Sequence, residues 1–378
     1  MNRLPPLTAR RIRLTVPIDR ARELPCWRGA VAPRPLAGGL SNHNFTVEDG
    51  GAKFVARIGG DMLIHNVMRF NEASCGRAAA AAGIAPRLVH AEADASVIEF
   101  IDGATLDAAA VRANLPRILS TLKKLHRHGT RQLRGPVLAF SVFHVARHYR
   151  RLLEENHSRH APALPRLLDM AARLESAAGG ARVALCHNDL LAANFIDDGR
   201  AMWLIDWEHA GFNTPLFDLA NLASNNAFPE ELEREMLARY YGGDGGDDDG
   251  GDGGDNDDGG DGDSSDGDDG GDGGGDGSDG DGGGRSGGSD GDGGDDGGDG
   301  NGDGGDGGGG CGDGGDGNAP VDAALWRRFK ALRAASHLRE AMWSMTAEIF
   351  SELAQDYPAY TAKNLDDFHQ AFAQFTAT

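Results

Sequence analysis

Long apolar runs are missing from this 378-residue chain, and so is any concentration of cysteine. No stretch approaches the roughly 20 consecutive apolar residues of a membrane-spanning helix, so no membrane span is expected. The N-terminal residues MNRLPPLTARRIRLTVPIDRAREL carry basic side chains but no uninterrupted apolar segment, and do not read as a signal peptide. The four cysteines, Cys26, Cys75, Cys186 and Cys311, form no CxxC pair and no metal-ligand spacing. That usage fits a reducing compartment and predicts a cytoplasmic protein. A basic surplus is also absent, because the formal charge is −21, and no nucleic-acid partner is expected.

The acidity is confined to one place. Residues 243 to 318 hold 26 Asp, 40 Gly and a single Arg among 76 residues, a net of −25. The other 302 residues carry 36 basic and 32 acidic side chains, a net of +4, and read as a nearly neutral globular body. The Asp/Gly tract cannot bury enough apolar surface to offset backbone entropy, so a disordered, solvated insert is expected. Its alternation resembles the calcium-binding nonapeptide repeat GGxGxDxUx, but the apolar U residue that would build a core is missing throughout. Closure entropy grows only logarithmically with loop length, so an insert of this size is tolerable between two helices.

Patterning predicts an α+β chain, with a small lobe of a few strands and one helix (the N-lobe) followed by a mainly helical lobe (the C-lobe). Residues 1–30 form an N-terminal extension and 31–102 the nucleotide-binding N-lobe. Residues 103–242 make the C-lobe with its catalytic loop, 243–318 the insert, and 319–378 the closing helices on the substrate side. Within the N-lobe, Asn44 to Glu48, Lys53 to Ile58 and Ser96 to Ile101 alternate as strands, and Val67 to Ala82 has helical spacing. Helical periodicity resumes after Asn318 and runs to the end.

The segment LCHNDLLAANFIDDGRAMWLIDWEHAGFNTPLFDLANL (185–222) carries the chemistry. Phosphoryl transfer to a hydroxyl needs a carboxylate to accept its proton, and oxygen ligands to hold Mg²⁺ against the phosphates of ATP. His187, Asp189 and Asn194 follow HxDxxxxN, which presents a base and an amide ligand to one point, with His187 assigned to catalysis beside Asp189. A hairpin turning at Asp197, Asp198 and Gly199 leads to Asp206, placed for a second metal ligand. Taken singly, Asp189 could be a loop cap and Asp206 a turn former; the combination with IDWE and FDLA favours a kinase. Upstream, LAGGLSNHNF (36–45) is a Gly turn whose backbone could approach phosphate, with Gly38, Gly39, Ser41 and Asn42 at its centre. Arg57 sits inside an apolar strand and needs an anion, either a nucleotide phosphate or Glu72. Val97 to Gly103, with Glu99 inside it, is the natural hinge facing the adenine.

HNDLLAANFI, LIDWEHAGFNTPLFDLANL and SNN (224–226) resemble the bacterial choline and ethanolamine kinase family, within the aminoglycoside-phosphotransferase-like group of kinase folds. The resemblance covers about Leu36 to Thr378 apart from the insert, and implies a bilobal, protein-kinase-like fold with a small antiparallel-sheet N-lobe and a mainly helical C-lobe. It implies that Asp189 is the base, that Asn194 and Asp206 bind Mg²⁺, that Arg57 pairs with Glu72 over the phosphates, and that Asp218 braces the loop. The stretch AASHLREAMWSM (334–345) resembles the segment that supplies pocket tryptophans. Trp343 keeps one aromatic position, Glu340 stands where animal choline kinases carry a second Trp, and Glu208 of IDWE is assigned to the substrate. The implied activity is ATP- and Mg²⁺-dependent phosphorylation of a small cationic amino alcohol, choline- or ethanolamine-like. Thiamine, an amino sugar or an aminoglycoside are the alternative acceptors. From another class, the chain would be an inactive kinase-fold binding protein with an acidic interaction segment.

Overall fold

The computed structural model describes residues 16–37, 42–180, 183–242, 321–351 and 355–378. The Asp/Gly tract, and Gly38, Gly39 and Ser41 of the Gly turn, lie outside the described residues. All described residues belong to one unit by their mutual packing. Helix α1 (Pro17–Arg22) precedes strand β1 (Arg34–Leu36). Gly50 and Gly51 adopt φ of +58° and +82°, the left-handed pair that a two-residue hairpin needs. They join β2 (His43–Asp49) to β3 (Ala52–Ile58) with Asp49 opposite Ala52.

Helix α2 (Arg69–Ala81) follows, then β4 (Leu88–Ala91) and β5 (Ala95–Glu99), completing an antiparallel sheet of order β1-β2-β3-β5-β4. Alternation divides its faces. Phe45, Val47, Ala56, Ile58, Ala95 and Val97 are buried on one side against Ala21 and Leu24 of the N-terminal segment. Arg57 lies on the other face, in register with Asn44 and Ser96. The sequence alone missed β4 and ran β5 two residues too long; the last bond, from Phe100 N–H to the Lys53 carbonyl (3.1 Å), lies beyond the strand proper.

The chain crosses to the helical lobe through Gly103. A Cβ there would lie 2.7 Å from the Asp197 carbonyl oxygen, so this close approach admits glycine alone. Strand β6 (Ala104–Thr105) is followed by α3 (Ala108–Ala113) and α4 (Leu115–Lys124), which runs through a π turn (Leu125–Gly129) into α5 (Thr130–Gln132). Helices α6 (Val142–Glu155) and α7 (Leu164–Ala178) lead to β7 (Ala184–Cys186), β8 (Phe195–Asp197), β9 (Met202–Leu204) and β10 (Gly211–Asn213). Strands β6, β8 and β9 form one small sheet, and β7 pairs with β10. Helices α8 (Pro215–Asn225), α9 (Glu230–Tyr241), α10 (Ala323–Phe350) and α11 (Tyr357–Thr376) complete the lobe. Among the described residues no helix is long and apolar enough to cross a membrane.

Helix α10 organises this lobe. It packs against α6, α7, α8 and α11, and Ala331, Ala334, Ala335, Leu338, Ala341, Met342 and Met345 along it are all buried. A helix enclosed on most sides carries small residues where a neighbour comes close. Here Ser336 Oγ accepts from Asn221 Nδ2 of α8 at 3.0 Å. Lys330 Nζ, also buried, lies 3.0 Å from Glu233 Oε2, joining α10 to α9. The helices expected between 319 and the end are two, α10 ending at Phe350 and α11 beginning after Asp356. The Asp356 carboxylate caps α11 by accepting from Ala359 N–H at 3.0 Å.

Candidate active site

Backbone bonds assemble the loop between β7 and β8. Asp218, fully buried on α8, accepts from the N–H of His187 (2.9 Å) and of Asn188 (2.7 Å). His126 Nε2 meets the same carboxylate at 2.9 Å and its Nδ1 meets Tyr240 Oη at 2.7 Å. Cys186 is near enough for these three side chains to resemble an ion site, but Asp218 spends its oxygens on the loop, so the cluster is a brace. At the far end, Asn194 Nδ2 donates to the Asp189 carbonyl at 2.9 Å, and Ile205 N–H donates to the Asn194 carbonyl at 3.0 Å. The hairpin thereby brings Asn194 beside Asp206. Asn188 and Asp206 both hold left-handed backbones, φ +66° and +67°. Such strain in non-glycine residues concentrates at functional sites.

His187 does not reach the cleft. It is fully buried and edge-on to Trp207; its Nε2 donates to the Ile205 carbonyl at 2.9 Å and its Nδ1 accepts from Asp189 N–H at 3.3 Å. Expected beside Asp189 in catalysis, His187 instead has both ring nitrogens committed to tying the two halves of the loop together. Glu99 also differs from its expected place. Its side chain turns to Arg87 Nε at 2.9 Å on the surface, so any part in nucleotide binding is left to its backbone.

Across the cleft, Arg57 Nη2 lies 3.1 Å from Glu72 Oε1 and donates to Asp206 Oδ1 at 2.6 Å. Burial opposes ionisation of Asp206, but Arg57 outweighs it and holds the carboxyl below its ordinary value. Asn42, Arg57, Glu72, Ser96, Ile98 and Asp206 line a cavity between the sheet, α2 and the Asp206 turn. Arg69, at the start of α2, bridges Glu72 and, at 3.3 Å, Glu208. Glu208 was expected at the substrate; it is buried and turned to Arg69, closing an ion network between the lobes.

Asn194 and Asp206 suit a hard cation. The Asn194 amide nitrogen is anchored to the loop, leaving its carbonyl oxygen as the remaining polar atom, and Asp206 offers an ionised carboxylate. Oxygen donors of this kind are what Mg²⁺ takes from protein.

Helix α10 also carries an aromatic cluster. Trp343 stands 5.6 Å from the His65 ring, 6.1 Å from Tyr357 and 6.3 Å from Tyr360, centroid to centroid. Buried Tyr149 Oη meets His65 Nδ1 at 3.1 Å. Glu340, one helical turn before Trp343 on the same face of α10, is held above its ordinary value by burial and by Asp189, against the pull of Arg339. Arg339 itself, buried and unforeseen from sequence, donates from Nη1 to Asp189 Oδ1 at 3.0 Å and to Glu340 Oε1 at 2.8 Å.

The phosphotransferase enzyme family matches residues 33–253. The chain belongs to this family. Protein LicA of Haemophilus influenzae is 28% identical to the phosphotransferase over 216 residues, covering 55% of this chain and 62% of LicA. The chain therefore spans less than two thirds of that relative. In fold it is similar to a choline/ethanolamine kinase family protein from Mesorhizobium loti, with a TM-score of 0.60, 20% identity, and coverage of 95% and 96% of the two chains. It is also similar to LicA solved in complex with AMP, with a TM-score of 0.57, 16% identity, and coverage of 90% and 93%. At these identities the structures establish the phosphotransferase's kinase-like fold.

The buried histidines of the phosphotransferase carry a pH prediction. Burial, with Arg339 close by, pushes His65 down to about 4 and His209 to about 3. On α10, burial and Arg333 push His337 to about 4. In the unfolded chain these rings protonate near 6.5, so between that pH and about 4 the unfolded state binds more protons. Stability is thus complete above about pH 6.5 and falls as the pH drops towards 4. Each ring costs up to about 2 kcal/mol between pH 6.5 and 5. His337→Gln, outside the cleft, should make the fall in Tm between pH 7 and pH 5 shallower. An unaltered slope would contradict the assignment.

Proposed function

We propose that this phosphotransferase moves the γ-phosphoryl group of ATP to the hydroxyl of a small cationic amino alcohol of the choline or ethanolamine type. The observation that carries this reading is the adjacency of Asp189 to an aromatic, acidic pocket. One nitrogen of Arg339 contacts both Asp189 and Glu340, and Glu340 shares its helix face with Trp343. An ammonium group gains there from the Glu340 carboxylate and from cation–π attraction to the rings. A hydroxyl a short carbon chain away then meets Asp189, which accepts its proton.

Arg57 and Asn42, which line the cavity, would face the phosphates, and the hinge at 97–103 would face the adenine. The LicA structure with AMP supports a nucleotide on this fold. Asn194 and Asp206 would hold Mg²⁺, which when bound neutralises charge on the β- and γ-phosphates. The Arg57–Asp206 pair keeps that carboxylate ionised. His187 and Asp218 hold the loop that presents the base.

The test is a comparison of kcat/KM for ADP release with choline, ethanolamine, thiamine, hexosamines, an aminoglycoside and a neutral sugar. Choline or ethanolamine should lead. A neutral sugar with higher kcat/KM than both would overturn the substrate assignment.

A further inference from the structure

Arg339 has no part in the reaction as described so far, yet it touches both ends of the substrate path. It lies on a 28-residue helix packed against four others, so its backbone has no freedom to withdraw. Its side chain is only 3% exposed, and the guanidinium carbon lies 5.8 Å from the Phe140 ring centroid. Burial opposes its charge, but Asp189 and Glu340 favour the charged form, and its pKa is raised. A planar, permanently charged donor fixes the orientation of a carboxylate better than a flexible ammonium does.

We propose that Arg339 is the positioning residue of this site, tying the base Asp189 to the cation anchor Glu340 through one guanidinium nitrogen. This inference rests on the amino-alcohol reading above. Asp189 Oδ1 is occupied at 3.0 Å, so Oδ2 is the oxygen left to take the hydroxyl proton. The Asp189 backbone is held as well, its N–H by His187 and its carbonyl by Asn194. Because Glu340 Oε1 is bound to the same nitrogen at 2.8 Å, the two carboxylates keep a fixed separation. It cannot exceed the two bond lengths laid end to end. That separation acts as a ruler: an ammonium held at Glu340 presents a hydroxyl two carbons away to Asp189, and a longer chain carries its hydroxyl past the base.

The experiment uses the full chain with ATP and Mg²⁺, following ADP release on 2-aminoethanol, 3-aminopropan-1-ol and 4-aminobutan-1-ol. For the wild type, kcat/KM should fall roughly tenfold or more on adding the first methylene, the usual scale for one methylene in a fitted site. Arg339→Gln should lower kcat on 2-aminoethanol roughly 10- to 100-fold, as a misplaced base does. It should also bring the three alcohols to within a few-fold of one another, and leave KM for ATP unchanged. Arg339→Lys should recover part of the lost kcat. A residue that served stability alone would shift Tm and leave the chain-length ratio and the kcat-to-KM split as they were. The proposal is overturned if Arg339→Gln keeps wild-type kcat and length preference, or if the wild type takes the three-carbon alcohol as well as the two-carbon one. Should Arg339→Gln fail to fold by circular dichroism, the wild-type series and Arg339→Lys decide. If no amino alcohol is turned over but another acceptor is, the substrate assignment falls. Arg339 is then judged on that acceptor: a kcat loss in Arg339→Gln with partial rescue by Lys supports positioning, and its absence refutes it.

Discussion

Asp189→Asn is expected to leave the fold and nucleotide affinity close to those of the parent and to lower kcat by roughly 10²- to 10⁴-fold, the usual contribution of a general base. The amide keeps the size of the carboxylate and can still accept from Arg339 Nη1 through its oxygen, so the loop has no reason to move. What it loses is the ability to take a proton. The backbone bonds that seat the loop, from His187 and Asn188 to Asp218 and from Asn194 to the Asp189 carbonyl, do not involve the altered group. The effect should therefore fall on kcat, with KM for ATP unchanged. A variant with near wild-type kcat on its preferred alcohol would mean that the base has been misassigned.

Asp206→Ala should cost roughly 10²-fold or more in kcat/KM, the range seen when one group facing developing charge is removed from a closed site. The apparent Mg²⁺ requirement should rise with it. Glu72 still holds Arg57 at 3.1 Å, so the interlobe ion network loses one member and not its anchor. Asn194→Ala should act in the same direction with a smaller effect, because a neutral amide attracts a hard cation less than a carboxylate does. Titrating MgCl₂ at fixed ATP for both variants checks this. Identical Mg²⁺ dependence in wild type and both variants would remove Asn194 and Asp206 from the metal site.

Features decided within a few residues were legible in the sequence. The Asp197–Gly199 turn and the HxDxxxxN loop each depend on local backbone needs, and each lies where the pattern placed it. The family resemblance added the pairing of Arg57 with Glu72, which β3 and α2 bring together. Side chains whose role depends on distant partners were misread. His187 looked catalytic because it stands two residues from Asp189, yet its partner is the Ile205 carbonyl 18 residues on. Glu208 looked available until α2 supplied Arg69 from 139 residues away. Arg339 lies 150 residues from Asp189, and the one local hint was a charged Arg-Glu pair inside the apolar stretch AASHLREAMWSM. His65, Tyr149 and Tyr360 reach Trp343 and its surroundings from three separate segments, a convergence that no window of sequence contains.

The most direct test of the central claim is to identify the product. The full chain would be incubated with ATP, Mg²⁺ and ethanolamine or choline and followed by ³¹P NMR. The expected spectrum gains the phosphomonoester of the amino alcohol in step with ADP, and the Asp189→Asn protein produces neither at a comparable rate. ADP accompanied only by inorganic phosphate, or a phosphomonoester formed on a neutral sugar but on neither amino alcohol, would contradict the account.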